Sequence, residues 1–459
     1  MKNYDLIVIG SGAGNNVATA AASEGQKVAL VENGPLGGTC LNRGCIPSKI
    51  WTHVADTIRS VDHAMAIGVK AEVEYIEFDT IQERLWKLVD GDSGRMEAAL
   101  KRDRRIDLIQ ETAVFVDVKV LQVGKKRIGA ERMVIANGCR TNVPEIPGLE
   151  EVGYLMSEDV FRMEFPPQSL IIIGGGYKAL ELAHFFSAIG TEVTLVGRNP
   201  RLIPREDPEV SEHVRRHLAK LMHLHLGSVP VQFSRDEGGK RMRVKDRQDG
   251  QEEEVVAEEI LVCAGVLSNN DILDARKGGI ELDERGFIKT NQHLETNVTG
   301  VYALGDTLGR TMFRHTANYQ SLVVWENLNG RRMKLDERVV PHAVYTYPRV
   351  ASVGMTEAEA RAKGLNVAIG RAAYGDTAKG YAMDETESFV KVLLEHDTGR
   401  ILGASICGSE ADVLIQSIVF MMNSDKGTLA PIYRSQVIHP SIIEVVDRAF
   451  HNIVHDHQH

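Results

Sequence analysis

Cysteine is scarce in this chain, and its scarcity excludes a disulfide scaffold. The 459 residues contain five cysteines, namely Cys40, Cys45, Cys139, Cys263 and Cys407. A sparse, odd set in a long chain is typical of a reducing compartment, where a close pair is more often catalytic than structural. The one close pair, Cys40 and Cys45, is spaced too widely for the C-x-x-C of a thioredoxin-like site or a zinc knuckle.

Positive charge and long apolar runs are also lacking. The formal net charge is -10, which argues against a general nucleic-acid binder, because phosphate binding needs a basic surface. The apolar stretch LIQSIVFMM is too short to cross a bilayer. The N-terminal MKNYDLIVIG lacks the long apolar region of a signal peptide, so we interpret it as a buried strand. We therefore expect a cytoplasmic protein with no membrane or nucleic-acid partner.

The sequence does contain two copies of a nucleotide-binding pattern. In YDLIVIGSGAGNN a buried strand leads into a glycine turn and a helix start, and KVALVEN follows as a second strand that ends in an acid. Gly10 permits the tight turn, Gly12 lets the backbone approach a pyrophosphate, and Glu32 can accept hydrogen bonds from ribose hydroxyls. Asn15 replaces the third glycine of the G-x-G-x-x-G pattern, and we expect Gly14 to allow the close helix–strand approach instead.

The second copy differs at the end of its second strand. The stretch SLIIIGGGYKALELAHFFSAIGTEVTLVGRNPR carries Gly174, Gly176 and Ala179 at the three small positions and ends its second strand in Gly197-Arg198, without an acid. An acid there would accept from the 2′-hydroxyl of NAD, whereas an arginine can meet the 2′-phosphate of NADP. The sequence therefore predicts a preference for NADPH, with NADH as the open alternative.

Later strands complete the pattern. EEILVCAG (258–265) is the last strand of the second unit, and TGVYALGD (299–306) is a buried strand that ends in Asp306, an acid able to bond the ribityl hydroxyls of a flavin. From about Pro341 the pattern changes to a hairpin, FVKVLLEHDTGRILGASICG, followed by an apolar helix. This last part is an α+β module rather than a third nucleotide unit.

The cysteine pair lies in GGTCLNRGCIPSK (37–49), and Cys40 follows Glu32 by eight residues. It is therefore expected near the flavin or nicotinamide end of the first nucleotide. An irregular turn entering a helix can bring both sulfurs within disulfide reach, and a helix N-terminus favours thiolate. Electrons would pass from NADPH through a flavin to the cysteine pair, which would exchange with a substrate disulfide. Because Cys45 is nearer the helix start, we assign it the flavin-facing role and Cys40 the attack on the substrate.

GGTCLNRGCIPSK resembles the active-site sequence of the FAD-dependent pyridine nucleotide–disulfide oxidoreductases, and the resemblance extends over the whole chain. It implies an α/β fold with two Rossmann-like dinucleotide-binding domains, for FAD and NAD(P), and a C-terminal α+β dimerisation domain. The predicted FAD-binding domain comprises 1–145 and 266–338, the NAD(P)H-binding domain 146–265, and the dimerisation domain 339–459. The resemblance also implies an obligate homodimer whose active sites are each completed by the C-terminal module of the partner.

The resemblance assigns further roles. Lys49 matches the lysine near flavin N5, paired with Glu181, and Cys45 matches the charge-transfer thiol. In VIHPSIIEVV, His439 would be the general acid/base and Glu444 would hold its ring. FRHTANYQ (313–320) matches the helix start whose dipole favours negative charge on reduced flavin. The other positions matched to cofactor binding are Gly38, Thr39, Gly265, Asp306, His315 and Ala317.

Within this family, YGDTAKGYAMDET and HTANYQ resemble stretches of the mycothione reductases most. Tyr177 stands where glutathione reductase carries a tyrosine that covers the nicotinamide pocket, which favours reduction of a low-molecular-weight thiol disulfide. Two positions depart from the common pattern: Val266, where many members have arginine, and Cys139, where serine is usual. We interpret both as structural variants.

Three alternatives remain. A dihydrolipoamide dehydrogenase using NAD is disfavoured by Arg198. A mercuric reductase usually carries an extra cysteine pair at its C-terminus, which this sequence lacks. A non-catalytic flavoprotein is disfavoured by the complete cysteine and histidine–glutamate sets. We interpret the histidine-rich tail HNIVHDHQH as solvated rather than as a metal site.

Overall fold

The structure is a computed structural model that describes residues 1–424 and 426–454. The predicted solvated tail falls largely on residues 455–459, which lie outside the described residues. Among the described residues, no helix is long and apolar enough to cross a membrane, and no group of three or more His, Cys, Asp or Glu side chains is placed to hold a metal ion.

Short aliphatic runs form the buried strands of the first part of the chain, and the longer amphipathic stretches between them form helices. The prediction that residues 50 to 105 are helical and charged corresponds to two long helices separated by an exposed segment. The elements up to residue 141 are β1 (Lys2–Tyr4), β2 (Leu6–Ile9), α1 (Gly14–Ser23), β3 (Val28–Val31), α2 (Gly38–Arg43), α3 (Cys45–His63), α4 (Phe78–Arg102), β4 (Ile106–Ile109), β5 (Ala113–Asp117), β6 (Val120–Val123), β7 (Lys126–Ala130), β8 (Met133–Ile135) and β9 (Cys139–Thr141).

The second part of the chain repeats the alternation of strands and helices and adds an antiparallel sheet of three strands. Its elements are α5 (Leu149–Val152), β10 (Leu155–Met156), α6 (Ser157–Val160), β11 (Ser169–Ile173), α7 (Tyr177–Ala188), β12 (Glu192–Gly197), α8 (Pro208–Leu218), β13 (His223–Leu226), β14 (Ser228–Asp236), β15 (Gly239–Asp246), β16 (Glu252–Ala257) and β17 (Glu259–Val262). The chain then returns through β18 (Val266–Ser268), β19 (Val301–Ala303) and α9 (Arg314–Leu328).

Two parallel five-stranded sheets carry the two nucleotide patterns. The first has the order β19-β8-β2-β3-β4, so the returning strand β19 completes the sheet begun at the N-terminus. The second has the order β10-β17-β11-β12-β13. In both sheets the strand that precedes the glycine turn is central, and ligands bind beyond the carboxyl ends of such strands.

An antiparallel sheet forms the last part of the chain. Its elements are β20 (His342–Val344), β21 (Val350–Gly354), α10 (Glu357–Ala362), β22 (Val367–Ala373), α11 (Ala378–Ala382), β23 (Phe389–Glu395), β24 (Ile401–Cys407), α12 (Ala411–Met422), α13 (Ala430–Arg434), α14 (Glu444–His451) and β25 (Ile453–Val454). The sheet order is β20-β21-β24-β23-β22-β25, and the predicted hairpin is the β23–β24 pair. The predicted fold class is confirmed; the domain boundaries at 145, 265 and 338 stay a proposal.

Candidate active site

The two cysteines lie at the junction of two helices. Cys40 belongs to the short helix α2, not to the irregular turn that we expected, and Cys45 is the first residue of α3. The hydrogen bond from the Cys45 thiol lowers the pKa of Cys40 to about 7, and the positive charges of Arg314 and Lys49 act in the same direction against burial. The same interaction raises the pKa of Cys45. The pair is thus arranged to hold one thiolate, on Cys40, near neutral pH.

Both cysteines line a cavity of about 700 Å³ in the first nucleotide unit. Its walls come from the carboxyl ends of the first parallel sheet and from the starts of α2, α3 and α9. Nine predicted site residues line it: Gly10, Gly12, Glu32, Gly38, Thr39, Cys40, Cys45, Asp306 and Ala317. Residues far apart in the chain therefore converge on one space with a dithiol in its wall.

The cavity fits an extended dinucleotide. Gly10 has φ +100°, and a Cβ there would lie 2.2 Å from the carbonyl oxygen of Ala136. A Cβ on Gly38 would lie 3.0 Å from the Cα of Gly12, so the two glycine stretches line the cavity with bare backbone. Asn137 also lines the cavity, and both polar atoms of its buried amide lack a hydrogen-bond partner within the described part of the chain. Neither glycine has room for a side chain against this backbone, so the wall stays bare where FAD would lie, and a buried amide remains available to it.

Glu32 is fixed at the end of β3. Its Oε2 accepts hydrogen bonds from the backbone N–H of Ser11 at 2.9 Å and from the Ser11 hydroxyl at 2.8 Å, and its Oε1 accepts from the N–H of Gly34 at 3.1 Å. The carboxylate is thereby oriented beside the first glycine turn, where it can accept from a ribose. Behind that turn, a Cβ on Gly14 would lie 3.0 Å from Val8, so this glycine lets α1 approach β2 closely.

Asp306 lies in a short 3₁₀ helix, Gly305–Leu308, directly after β19. Burial raises the pKa of its carboxyl group, and the positive charge of Lys178 opposes that rise. Lys178 also lines the cavity and donates a hydrogen bond to the Ser157 hydroxyl at 2.9 Å. Our interpretation of the sequence missed Lys178 because only the fold brings the start of α7 to this wall.

Lys49 and Glu181 form the ion pair that the resemblance implies. The Nζ of Lys49 lies 2.7 Å from Oε2 and 2.8 Å from Oε1 of Glu181, which links α3 to α7. The backbone N–H of Tyr345 donates to Glu181 at 3.2 Å, and Lys49 lies 4.2 Å from the centre of the Tyr345 ring. Lys49 follows Cys45 by four residues in α3, and these contacts fix the direction of its side chain.

The second glycine turn joins β11 to α7. A Cβ on Gly174, whose φ is +143°, would lie 2.4 Å from the carbonyl oxygen of Cys263, and Gly176 directly precedes α7. Arg198 is exposed after β12, and its carbonyl accepts a hydrogen bond from Arg247 at 3.0 Å. Arg247 was not predicted, because it follows β15 and reaches Arg198 only through the hairpin. Two arginines therefore lie together where the 2′ position of a nucleotide is expected.

His439 and Glu444 are paired, outside the described lining of the cavity that holds the cysteines. The Nδ1 of His439 lies 2.7 Å from Oε1 of Glu444, whose Oε2 accepts from the N–H of Ser441 at 2.9 Å. The hydrogen bond from His439 lowers the pKa of Glu444. The His439 side chain is 73% exposed, and the described residues that line the cavity do not include it. The pair is formed and oriented, but it faces solvent within this chain.

The predicted residues outside the cavity lining also include His315 and Gly265, besides Lys49, Glu181 and the residues of the second glycine turn. His315 is exposed near the start of α9, and its Nε2 lies 2.7 Å from the carbonyl oxygen of Pro341, whereas its neighbours Phe313 and Arg314 line the cavity. Gly265 has φ +107° between β17 and β18 and accepts a hydrogen bond from the N–H of Asn142 at 3.0 Å. Their predicted roles in cofactor binding remain predictions.

Comparison with known proteins gives consistent matches along the chain. The family described as pyridine nucleotide-disulphide oxidoreductase matches residues 4–321, and its dimerisation domain matches residues 340–450. A mycothione reductase of Mycobacterium tuberculosis is 33% identical over 98% of this chain and 99% of its own, and a dihydrolipoyl dehydrogenase of Haloferax volcanii is 32% identical over 98% and 96%. The structure of the HOCl-induced flavoprotein disulfide reductase RclA from Escherichia coli superposes with a TM-score of 0.86, at 27% identity, and covers 98% of this chain and 99% of that one.

Proposed function

Because this chain belongs to the pyridine nucleotide-disulphide oxidoreductase family, we propose that it is an NADPH-dependent reductase of a low-molecular-weight thiol disulfide, similar to mycothione reductase. The family assignment confirms an oxidoreductase that acts on sulfur groups with FAD and a pyridine nucleotide. The choice of nucleotide and of disulfide is our proposal.

One observation carries the proposal: the hydrogen-bonded Cys40 and Cys45 thiols stand in the wall of the cavity that also presents Glu32 and Asp306. Gly10, Glu32 and Asp306 would hold FAD there, and the flavin would supply the hydride chemistry that links NADPH to the Cys40–Cys45 disulfide. Lys49, held by Glu181, would keep a positive charge beside the pair and favour thiolate on Cys40.

Exchange with the substrate then proceeds by two attacks. The Cys40 thiolate attacks one sulfur of the substrate disulfide; a bond forms between the two sulfurs and the other half of the substrate leaves as a thiolate. Cys45, once deprotonated, attacks Cys40, restores the Cys40–Cys45 disulfide and releases the second half. Each leaving thiolate takes up one proton and becomes a product thiol. In the overall reaction, NADPH, a proton and the disulfide yield NADP⁺ and two thiols.

His439 is the proposed donor of the protons to the leaving thiolates. Glu444 fixes the ring through Nδ1 and leaves Nε2 free to face the substrate. Because His439 is exposed and does not line the cavity of its own chain, we propose that it serves the active site of a partner subunit in a homodimer. The matched dimerisation domain supports this arrangement.

The preference for NADPH rests on Arg198, with Arg247 as a neighbour. Two exposed guanidinium groups suit the 2′-phosphate, and the end of β12 offers no carboxylate for a 2′-hydroxyl. Dihydrolipoyl dehydrogenase activity with NAD is the rival function. The scarcity of cysteine supports a cytoplasmic location.

The test is an assay of the purified holoenzyme against mycothione, glutathione disulfide, bis-γ-glutamylcystine, coenzyme A disulfide and lipoamide, with NADPH and with NADH. We expect NADPH oxidation to depend on one of the first four disulfides and to be lost in Cys45→Ser. Cys407→Ser, which changes a buried thiol of the C-terminal sheet, is the matched control and should retain activity. Turnover of lipoamide with NADH as the best pair would establish the rival function instead.

A further inference from the structure

Tyr345, which directly follows β20, contacts both members of the Lys49–Glu181 ion pair. The Nζ of Lys49 lies over the Tyr345 ring, 4.2 Å from its centre, and the backbone N–H of Tyr345 donates to Oε1 of Glu181 at 3.2 Å. An ammonium group in this position is attracted by the negative face of the ring. The tyrosine therefore contacts the lysine with its ring and the glutamate with its backbone.

The ion pair by itself restrains the Lys49 side chain only in part. The side chain is 35% exposed, and it is a flexible four-carbon chain that ends in a point charge. An ion pair that water can reach holds such a side chain weakly. A contact with a rigid aromatic ring therefore restricts the position of the charge further.

The Tyr345 ring is anchored through its hydroxyl. The hydroxyl donates to Oδ2 of Asp412, in α12, at 3.2 Å. Burial and the negative charge of Asp412 raise the pKa of Tyr345 to about 12, so the hydroxyl stays protonated near neutral pH. Oδ1 of Asp412 accepts a hydrogen bond from Arg349 at 2.6 Å, and the guanidinium of Arg349 lies 5.0 Å from the centre of the Tyr345 ring.

Arg349 connects this anchor to the helices that carry the ion pair. It donates a second hydrogen bond to Oδ2 of Asp56, in α3, at 2.7 Å. Oδ1 of Asp56 lies 2.9 Å from Nε2 of His184, a fully buried residue of α7. Hydrogen bonds between charged groups are stronger than those between neutral ones. The anchor is therefore fixed to α3, which carries Lys49, and to α7, which carries Glu181.

We propose that Tyr345 is a positioning residue that fixes the charge of Lys49 where it acts on Cys40. The positive charge of Lys49 is one of those that lower the pKa of Cys40. Because the interaction between two charges weakens with distance, a lysine that leaves this position would stabilise the thiolate less. The inference deepens the proposed function, since it rests on Cys40 as the exchange thiol.

The pH dependence of Cys40 alkylation in the reduced holoenzyme measures the effect of Lys49. Trypsin cleaves after Arg43, so mass spectrometry reads Cys40 and Cys45 on separate peptides. Lys49→Met removes the charge, and its midpoint should rise by the full contribution of the lysine. For Tyr345→Leu, which removes the ring, we expect a rise of about half a unit, or about threefold slower alkylation at a pH below both midpoints. Tyr345→Phe keeps the ring and should stay within about 0.2 unit of wild type.

A double variant separates positioning of Lys49 from a general structural effect. In Lys49→Met the lysine charge is absent, so the addition of Tyr345→Leu should not move the midpoint further. Tyr154→Leu is the matched control, because it removes another half-buried tyrosine, between α5 and β10, whose hydroxyl donates to a carboxylate, that of Glu150, at 3.0 Å. It should leave the midpoint of Cys40 unchanged.

An unchanged midpoint in Tyr345→Leu or in Lys49→Met overturns the proposal. An equal shift by Tyr345→Leu with and without Lys49 also overturns it, because the ring would then act on Cys40 by another route. Tyr345→Met, which keeps more of the side-chain volume, replaces Tyr345→Leu if that variant does not fold and retain FAD. The assay needs neither substrate nor nucleotide, so a wild-type holoenzyme that reduces no disulfide would refute the proposed function separately.

Discussion

At the scale of single residues, the two thiols of the cysteine pair differ in pKa. The hydrogen bond from Cys45, with the charges of Arg314 and Lys49, lowers the pKa of Cys40 to about 7, whereas burial raises the pKa of Cys139 to about 12. The thiolate fraction of Cys40 therefore rises as pH passes through 7, and Cys139 stays protonated. The sequence predicted the pair and assigned the attack to Cys40, and the contacts add that Cys40 is the sulfur that ionises more readily near neutral pH.

This difference predicts selective alkylation. In reduced enzyme treated with iodoacetamide, the rate of modification at Cys40 should rise with pH around a midpoint near 7, and Cys139 should stay unmodified. Arg314→Met should move that midpoint to higher pH because a positive charge is lost. Peptide mass spectrometry after timed quenching measures both rates. A wild-type midpoint at the ordinary thiol value of about 8.5 would contradict this assignment.

We predict that the protein needs Gly10 to retain FAD. In Gly10→Ala the new Cβ would lie 2.2 Å from the Ala136 carbonyl oxygen, in the turn that faces the cavity. We expect purified Gly10→Ala to carry little FAD, measured as the ratio of absorbance at about 450 to 280 nm. Gly25→Ala is the control: Gly25 also has positive φ, +85°, but nothing lies within 4 Å of its Cβ position. Equal loss from both variants would show that backbone strain alone is responsible.

At the scale of elements, a buried ion cluster joins α8 and α10 to the C-terminal sheet. Lys391 of β23 is 3% exposed, and its Nζ lies 2.6 Å from Glu209, 2.7 Å from Glu357 and 3.4 Å from Asp207. Burial raises the pKa of Asp207, and the positive charge of Lys391 opposes that rise. The lysine therefore neutralises carboxylates that would otherwise face one another in a place with little water.

Replacement of Lys391 should destabilise the contact of α8 and α10 with the C-terminal sheet. Lys391→Met removes the buried cation, whereas Glu209 keeps its ion pair with Arg371 and Glu357 keeps its ion pair with Arg361. We expect a loss of about 3 kcal/mol in the free energy of unfolding. Lys363→Met, at an exposed position of the same unit, should cost less than about 0.5 kcal/mol. Thermal unfolding of the two holoenzymes, followed by circular dichroism, compares them directly. Equal midpoints would show that the cluster adds nothing to stability.

Elements whose signal is local were predictable from the sequence. The runs of β2, β3 and β11 are aliphatic and end at glycines or acids, and the β23–β24 hairpin has Gly399 in its turn. The contacts of the buried Glu206 carboxylate with His342 and Ser352 were not predictable, because these residues are 136 and 146 positions away along the chain. Lys178 and Arg247 were not predictable for the same reason. Their neighbours in the sequence do not indicate where the fold places them.

At the scale of the whole molecule, the C-terminal part exposes large apolar side chains, one of which directly precedes the predicted acid/base in the sequence. Val413 and Phe420 of α12 are 60% and 68% exposed, and Ile438, which precedes His439, is 76% exposed. Exposed apolar residues in one region are typical of a protein interface. Together with the matched dimerisation domain, they support a partner subunit that would cover these side chains and receive His439.

Mixing two inactive variants tests that arrangement. Cys40→Ser lacks the exchange thiol, and His439→Ala lacks the acid/base, so each homodimer should be nearly inactive. In a mixed dimer of C2 symmetry, one site would combine the intact thiol of one subunit with the intact histidine of the other. Equal amounts, unfolded and refolded together with FAD, should therefore recover about one quarter of wild-type activity, since half of the dimers are mixed and each has one intact site. If His439 served the cysteines of its own chain, every site would contain a defect and the mixture would stay inactive.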